Sequence, residues 1–285
     1  HLYRESGNIN DENNEPKRYE FIIAFLRKVC YNKEKHKRRG TVICRQCPRE
    51  CQIDRQGEHY GFCASPNEFL VARIGPHAWE EPPISGSRGS GTIFFGGCNL
   101  RCVFCQNRAI SHGGVGRKMS DDALLDAMLR LQDAGVHNIN LVTPSHYTLQ
   151  LARLLERARP LLHTPIVWNS SAYESVDSLR ALDGLVDVYL PDIKYFSSEL
   201  SAKYSGAGDY FKVASAALCV HNGRDGHYCN TRCTDTSTTA VARAAGHYLK
   251  SADASCSLVL VKRGVGVKCE ALDKSDEGRC RNELS

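Results

Sequence analysis

The sequence predicts an α/β fold, whose βα repeats can close into a full or partial barrel, preceded by a cysteine-rich extension and followed by an irregular tail. Three observations support this prediction. Short apolar runs of β-forming residues alternate with helical periodicity between residues 92 and 194, as expected for βα units in a parallel sheet. Closely spaced cysteines occur upstream of these units and directly after the first predicted strand. From residue 216 onward the alternation stops.

The predicted strands lie at residues 92–97, 138–143, 165–170 and 186–194. The first ends at paired glycines, which is typical of a strand that runs into a loop. Ser120 is the expected N-cap of a helix that stops at Gly135. Further helices are expected up to about Pro160 and at residues 175–182. Residues 64–91 are rich in Pro, Gly and Ser and are expected to be irregular.

These boundaries divide the chain into four segments. Residues 1–43 are predicted to be a basic extension, disordered apart from a short amphipathic helix at residues 18–30. Residues 44–91 form the cysteine-rich segment, residues 92–215 the (βα) core, and residues 216–285 an atypical tail.

Composition narrows the class of protein. The chain has 285 residues, of which 42% are hydrophobic, enough for one large α/β domain with a short extension or for two small domains. No apolar run reaches about 18 residues, so no membrane span is expected. The net charge of +5 is modest, and the basic run at residues 33–39 is interpreted as a solvated linker, with a nuclear-type address or a nucleic-acid contact as the alternative. Fourteen cysteines without a visible signal peptide indicate metal ligation in a reducing, cytoplasmic location.

The segment GGCNLRCVFCQN follows the first strand and has the pattern C-x3-C-x2-C. Three thiolates on such a short loop can each bind one corner of a cubane, so Cys98, Cys102 and Cys105 are predicted to ligate a [4Fe–4S] cluster. Three ligands leave one iron open to a substrate or cofactor. The alternatives are a three-cysteine zinc knuckle, which fits this spacing poorly, and three unrelated buried thiols.

A second set of cysteines lies upstream, with the pattern C-x2-C-x3-C-x11-C: Cys44, Cys47, Cys51 and Cys63. Four thiolates would complete either a zinc site or a second, fully ligated cluster. The spacing does not separate these two interpretations. Partial use, with some of the cysteines merely buried, is the third.

Polar residues end the later strands. In (βα) barrels the chemistry lies at the carboxyl ends of the strands, where Thr143, Asn169 and Asp192 are expected together with the cysteine triad. Asp192 and Lys194 are two residues apart on a strand and therefore point to one face. A surface ion pair is the alternative interpretation of this pair.

The triad, with the aromatic Phe104 before its last cysteine, resembles the signature of the radical SAM superfamily. The wider sequence is similar to the branch related to pyruvate formate-lyase activating enzyme. Four segments carry this similarity: CRQCPRECQIDRQGEHYGFC, HAWEEPPISGSRGSGTIFFGGCNLRCVFCQN, HNINLVTPSHY and DGLVDVYLPDIKY. The resemblance runs from about residue 44 to about residue 215 and implies a partial barrel of the radical SAM type.

The resemblance implies two cofactors, a [4Fe–4S] cluster and S-adenosylmethionine (SAM), and an oxidoreductase activity. An electron from the cluster would cleave SAM to methionine and a 5′-deoxyadenosyl radical, which abstracts hydrogen from a substrate. A flavodoxin- or ferredoxin-like donor would supply that electron. The substrate is an unidentified protein or small molecule, and the branch suggests a glycine of a partner protein.

The resemblance also implies which residues contact SAM: Phe104, Thr143, Ser145, Asn169, Ser170, Asp192 and Lys194. Phe104 would lie near the adenine. Thr-Pro-Ser-His at residues 143–146 replaces the Gly-Gly-Glu that often contacts the SAM amino group. Asn169 and Ser170 would hold the SAM carboxylate or a monovalent cation, and the Asp-x-Lys motif would contact the same end of SAM.

The tail does not resemble this family. Either it supplies further strands, of which residues 257–264 are one candidate, or the chain is truncated or mis-spliced. Two other function classes are a zinc or iron–sulfur binding protein, with nucleic acid as its partner, and an inactive homologue. His77, Glu80 and Glu81 are predicted to line the barrel mouth and contact the substrate, with a solvated turn as the alternative.

Overall fold

The computed structural model describes residues 43–57, 60–78, 80, 82–221, 256–263 and 266–272, the last two ranges by their backbone alone. The predicted helix at residues 18–30, the basic run, Glu81 and most of the tail lie outside the described residues.

One eight-stranded sheet organises the described part of the chain, in the order β3-β1-β2-β4-β5-β6-β7-β8. The strands are β1 (Phe69–His77), β2 (Ser90–Phe95), β3 (Arg117–Met119), β4 (Ile139–Val142), β5 (Ile166–Ser170), β6 (Val188–Ile193), β7 (Cys256–Arg263) and β8 (Gly266–Leu272). The central strands β2, β4, β5 and β6 are parallel. The pairs at both ends of the sheet are antiparallel.

Helices connect and cover the parallel strands. In the described residues they are α1 (Pro82–Ser85), α2 (Arg108–Gly113), α3 (Asp121–Asp133), α4 (Thr148–Ala158), α5 (Val176–Arg180), α6 (Ser198–Ser205) and α7 (Tyr210–His221). The predicted start of α3 is confirmed, because the Ser120 hydroxyl accepts a hydrogen bond of 3.3 Å from the Ala123 N–H. None of these described helices is long and apolar enough to cross a membrane.

The parallel strands are wound in one direction. Each of β2, β4, β5 and β6 lies beside the next one along the chain, without the reversal of strand order that marks a doubly wound sheet. Because such crossovers are right-handed, this winding puts the connecting helices on one face and leaves the other face for an interior, as in barrels. The predicted α/β fold is therefore confirmed, while closure into a partial barrel stays a prediction.

The two faces of the sheet have different neighbours. Alternate residues such as Ile93, Leu141 and Trp168 belong to the large core that includes helix α3. On the opposite face, Val167 and Leu190 pack on Ile84 of α1 in a small separate cluster. The Ile84 carbonyl also accepts a hydrogen bond from Asn138, which precedes β4, so α1 covers the amino end of that face.

The expectation that residues 64–91 are irregular is wrong, because they contain β1 and α1. A register shift between Val71 and Arg73 breaks the alternation of β1 and hides the strand from sequence patterns. The same strand corrects a second expectation. His77 pairs with Ser90 at the amino end of β2, opposite the cysteine triad, so His77 does not line the mouth. The Glu80 carbonyl accepts a hydrogen bond from Ser85 of α1, which covers that same amino end.

The strand expected at residues 257–264 is confirmed as β7. It pairs with β6 in antiparallel orientation, and β8 pairs with β7 in the same way. These two strands therefore extend the sheet without continuing the βα repeat.

Candidate metal and cofactor site

The cysteine triad forms a loop at the carboxyl end of β2. All three cysteines are free, Cys98 and Cys102 are buried, and Cys105 is half-buried. The Leu100 N–H donates to the Cys98 sulfur at 3.3 Å, and the Ser111 hydroxyl donates to the Cys105 sulfur at 3.3 Å. Hydrogen bonds of this kind tune iron–sulfur centres, so the loop already provides polar partners for its sulfurs.

The electrostatics of the triad fit a bound cluster. Burial raises the pKa of the Cys98 thiol to about 11, and the neighbouring Cys102 and Cys105 contribute to the rise. Such thiols become ligands only when a metal supplies compensating positive charge. Among the described residues no group of three or more His, Cys, Asp or Glu residues is arranged to hold a metal ion. A cubane holds each thiolate on a separate iron, which requires wider spacing than one ion does.

Asp192 and Lys194 lie at the end of β6 on one face, as predicted, and form an ion pair. Both side chains are about a quarter exposed, 25% and 24%. Burial alone would lower the pKa of Lys194, but the charge and hydrogen bond of Asp192 raise it above its ordinary value, with smaller effects from Cys102 and Cys105. Lys194 is therefore close enough to two cysteines of the triad to interact with them electrostatically.

On the sheet face that carries this pair, each successive strand has a polar side chain that lies two residues further toward the carboxyl end. Asn140 pairs in register with Val167, so Asn169 lies two residues further along on the next strand. Asn169 pairs with Leu190, and Asp192 lies two residues beyond it. Both amide atoms of Asn140, and Oδ1 of Asp192, are buried and have no hydrogen-bond partner among the described residues. Sequence analysis missed Asn140, although a polar residue inside an apolar strand is a signal.

Glu174 is a second residue that sequence analysis missed. It is buried, and its carboxylate accepts hydrogen bonds from Ser145, Ser170 and Trp168 at 2.9, 2.9 and 2.7 Å. His221 lies 3.1 Å from the same carboxylate. Burial raises the pKa of Glu174, but the hydrogen bonds and charge of these neighbours outweigh it and hold the pKa below its ordinary value.

The hydroxyls of Ser145 and Ser170, both predicted to contact SAM, therefore bind Glu174. Ser170 also alternates with Asn169 along β5, so the two side chains point to opposite faces. Of the two, Asn169 shares the face of Asp192 and Lys194. Contact of either serine with SAM stays a prediction.

The other two predicted SAM contacts lie on strand-end loops. Phe104 is 53% exposed and packs edge-on against Tyr195 and Tyr204, with ring centroids 5.8 and 6.3 Å away. Thr143 has a φ of +58°, and its N–H donates to the Asn169 carbonyl at 2.9 Å. Positive φ at a β-branched residue stores strain, which is common at functional sites.

The cysteine-rich segment packs against the triad loop. The Ser65 hydroxyl interacts with the Gly96 carbonyl at 3.2 Å, and the Arg101 guanidinium donates to the Phe62 carbonyl at 3.1 Å. At Gly97 the backbone approaches so closely that an added Cβ would overlap Ser65 and the Cys63 carbonyl. The upstream cysteines therefore lie beside the triad and are not a remote module.

The four upstream cysteines lie near one another, but among the described residues they are not arranged around a single metal ion. Cys47 and Cys63 are buried, and Cys44 and Cys51 are half-buried. Burial raises the pKa of Cys47 to about 12, with contributions from the other three thiols. All four are free, which leaves them available as ligands. A metal on these cysteines stays a prediction.

Comparisons with known proteins agree with this geometry. An uncharacterized protein of Methanocaldococcus jannaschii is 30% identical over 178 residues, which cover 60% of this chain and 51% of that protein. The chain thus spans about half the length of this curated relative. No solved structure matches the chain. Residues 92–223 match the Radical SAM superfamily model. The chain therefore carries a radical SAM domain, which implies a [4Fe–4S] cluster and SAM as cofactors.

Proposed function

We propose that this protein is a radical SAM enzyme that cleaves SAM reductively and abstracts hydrogen from a substrate. The observation that supports this most is the arrangement at the carboxyl ends of β2 and β6. All three cysteines are free, and Lys194 of the Asp192–Lys194 ion pair lies within electrostatic range of Cys102 and Cys105. When bound, the cluster supplies the electron that converts SAM to methionine and a 5′-deoxyadenosyl radical.

The residues of the chain bind and orient SAM. The Lys194 ammonium is suited to the SAM carboxylate, and the unpartnered Oδ1 of Asp192 to the SAM ammonium. Asn169 supplies an amide on the same face. The exposed Phe104 ring offers a stacking surface for adenine.

The finer assignments rest on the sequence resemblance. The branch related to pyruvate formate-lyase activating enzyme suggests a glycine of a partner protein as the hydrogen donor and a flavodoxin- or ferredoxin-like electron donor. A reducing, cytoplasmic location is proposed because the cysteines of the triad and the four upstream cysteines are free, as metal ligation requires. The four upstream cysteines are proposed to hold a second metal site, either zinc or an iron–sulfur cluster.

Anaerobic purification with metal and sulfide analysis tests the proposal. We expect a brown protein with about four irons per chain or more. Replacement of Cys98, Cys102 and Cys105 by Ala should remove the visible absorption of one cluster. A Cys44→Ala, Cys47→Ala control should lose only the second metal. Full retention of iron in the triad variant, or a colourless protein with zinc alone, would refute the proposal and favour a zinc-binding module.

A further inference from the structure

Arg49 of the cysteine-rich segment binds two elements of the candidate site. Its Nε donates to the carbonyl of Asn99, the residue after Cys98, at 2.8 Å. Its two terminal nitrogens donate to the Ser205 and Gly206 carbonyls at 2.7 and 2.5 Å, at the carboxyl end of α6. One guanidinium thus bridges the ligand loop and the helix that follows Asp192 and Lys194.

Aromatic rings and a second hydrogen bond fix this bridge. The guanidinium carbon lies 3.8 Å from the centre of the Phe62 ring and 5.2 Å from that of Tyr173. The Asn99 side-chain amide donates to the Tyr173 carbonyl at 2.6 Å, so Asn99 is held from both sides. A planar guanidinium can make three directed hydrogen bonds and stack at the same time, whereas a lysine ammonium cannot.

Arg55 of the same segment provides a natural comparison. It also donates to two carbonyls, those of His146 and Pro66, at 2.6 Å each, and its guanidinium lies 4.7 Å from the Tyr147 ring centre. These side-chain hydrogen bonds do not involve the ligand loop or α6. The two arginines therefore differ mainly in the part of the chain to which each connects the cysteine-rich segment.

We infer that Arg49 is a positioning residue for the cluster loop, and that the cysteine-rich segment is thereby a structural part of the catalytic centre. This inference rests on the proposed function. The three directed hydrogen bonds set the spacing between Cys98 and the Asp192–Lys194 pair. The positive charge beside Asn99 favours the reduced, more negative state of a cluster held by Cys98.

These two contributions can be separated by substitution. Arg49→Met removes both charge and hydrogen bonds, so the midpoint potential of the cluster should become more negative and SAM cleavage should fall. Arg49→Lys keeps the charge, so the potential should stay near the wild-type value. Its 5′-deoxyadenosine formation should nevertheless fall about tenfold or more, because one ammonium cannot bridge both elements. Arg55→Met should lower thermal stability without shifting the potential.

Redox titration monitored by electron paramagnetic resonance measures the potential, and hydrogen exchange of the cluster-free protein provides a second readout. Peptides that cover residues 98–105 should exchange faster in Arg49→Met than in Arg55→Met. A wild-type potential in Arg49→Met, an equal shift in Arg55→Met, or equal exchange in the two variants would overturn the inference. If the wild type makes no 5′-deoxyadenosine, the proposed function fails, while the hydrogen-exchange comparison still decides the role of Arg49.

Discussion

At the scale of single residues, buried charged groups do most to hold this site together. Glu174 is the clearest case, because its buried carboxylate accepts hydrogen bonds from Ser145, Ser170 and Trp168. Buried carboxylates are tolerated only when such partners are complete. Glu174 thus ties the loop after β4 to the end of β5, and indirectly holds Asn169 in place.

Replacing Glu174 by Gln should lower the free energy of unfolding by about 2–4 kcal/mol, because an amide NH₂ would face groups that donate. Chemical denaturation at pH 7 measures the loss. An Asp177→Asn variant is the control, since that carboxylate is 88% exposed and pairs with Arg180 one turn away. It should change stability by at most about 0.5 kcal/mol.

The loss of stability in Glu174→Gln should depend on pH in a defined direction. The pKa of Glu174 is lower in the folded protein than in the unfolded chain. Its stabilising contribution is therefore present above the unfolded pKa of about 4.3 and is lost as the pH falls through the lower, folded value. The stability difference between wild type and Glu174→Gln should shrink below about pH 4.3. A difference that grows on acidification would contradict this account.

Asp192 is the residue on which SAM affinity should depend most. Asp192→Asn removes the negative charge that pairs with Lys194 and is proposed to bind the SAM ammonium. We expect the dissociation constant for SAM to rise about tenfold, or about 1.4 kcal/mol, in equilibrium dialysis. Asp187→Asn is the matched control, because this carboxylate pairs with Arg159 before the start of β6. Equal affinity losses in both variants would argue against a specific role.

At the scale of elements, loops at the carboxyl ends of the strands build the site, and close backbone approach keeps them together. The paired glycines after β2 show why. Gly97 has a φ of +80°, and a Cβ there would overlap Ser65 and the Cys63 carbonyl. Only glycine allows the cysteine-rich segment to lie directly against the triad loop.

Gly97→Ala should therefore lower the free energy of unfolding by more than backbone strain alone would. Gly135 is the matched control, because it has a φ of +75° and nothing within 4 Å of an added Cβ. We expect Gly135→Ala to lose about 1 kcal/mol of stability from strain. Gly97→Ala should lose clearly more and should also bind less iron. Equal losses in the two variants, with iron content unchanged, would show that the close packing is unimportant.

Sequence patterns predicted the elements whose signals are local. The cap at Ser120 and the apolar run of β4 were sufficient for α3 and its following strand. Strand β1 was missed, because its register shift at Val71 disturbs the alternation. Glu174 and Arg49 were missed for another reason. The fold brings them to their partners, and no sequence motif of fixed spacing marks these contacts. The partners of Arg49 lie up to 157 residues away.

At the scale of the whole molecule, the one-directional winding of β2, β4, β5 and β6 puts their carboxyl ends at one edge of the sheet. This geometry brings together the triad loop and the Asp192–Lys194 pair, which are about ninety residues apart in sequence. Their proximity was predicted from the sequence, because all of these residues follow parallel strands. It misplaced His77, because the antiparallel direction of β1 was not foreseen.

The central claim is that the triad loop supports reductive cleavage of SAM. The most direct measurement is 5′-deoxyadenosine formed by the anaerobically reconstituted protein with SAM and a chemical reductant, beside a Cys102→Ala variant treated identically. The account predicts reductant-dependent formation in the wild type and none above background in the variant. Equal formation in both proteins, or none in a wild type that carries its full iron content, would contradict it.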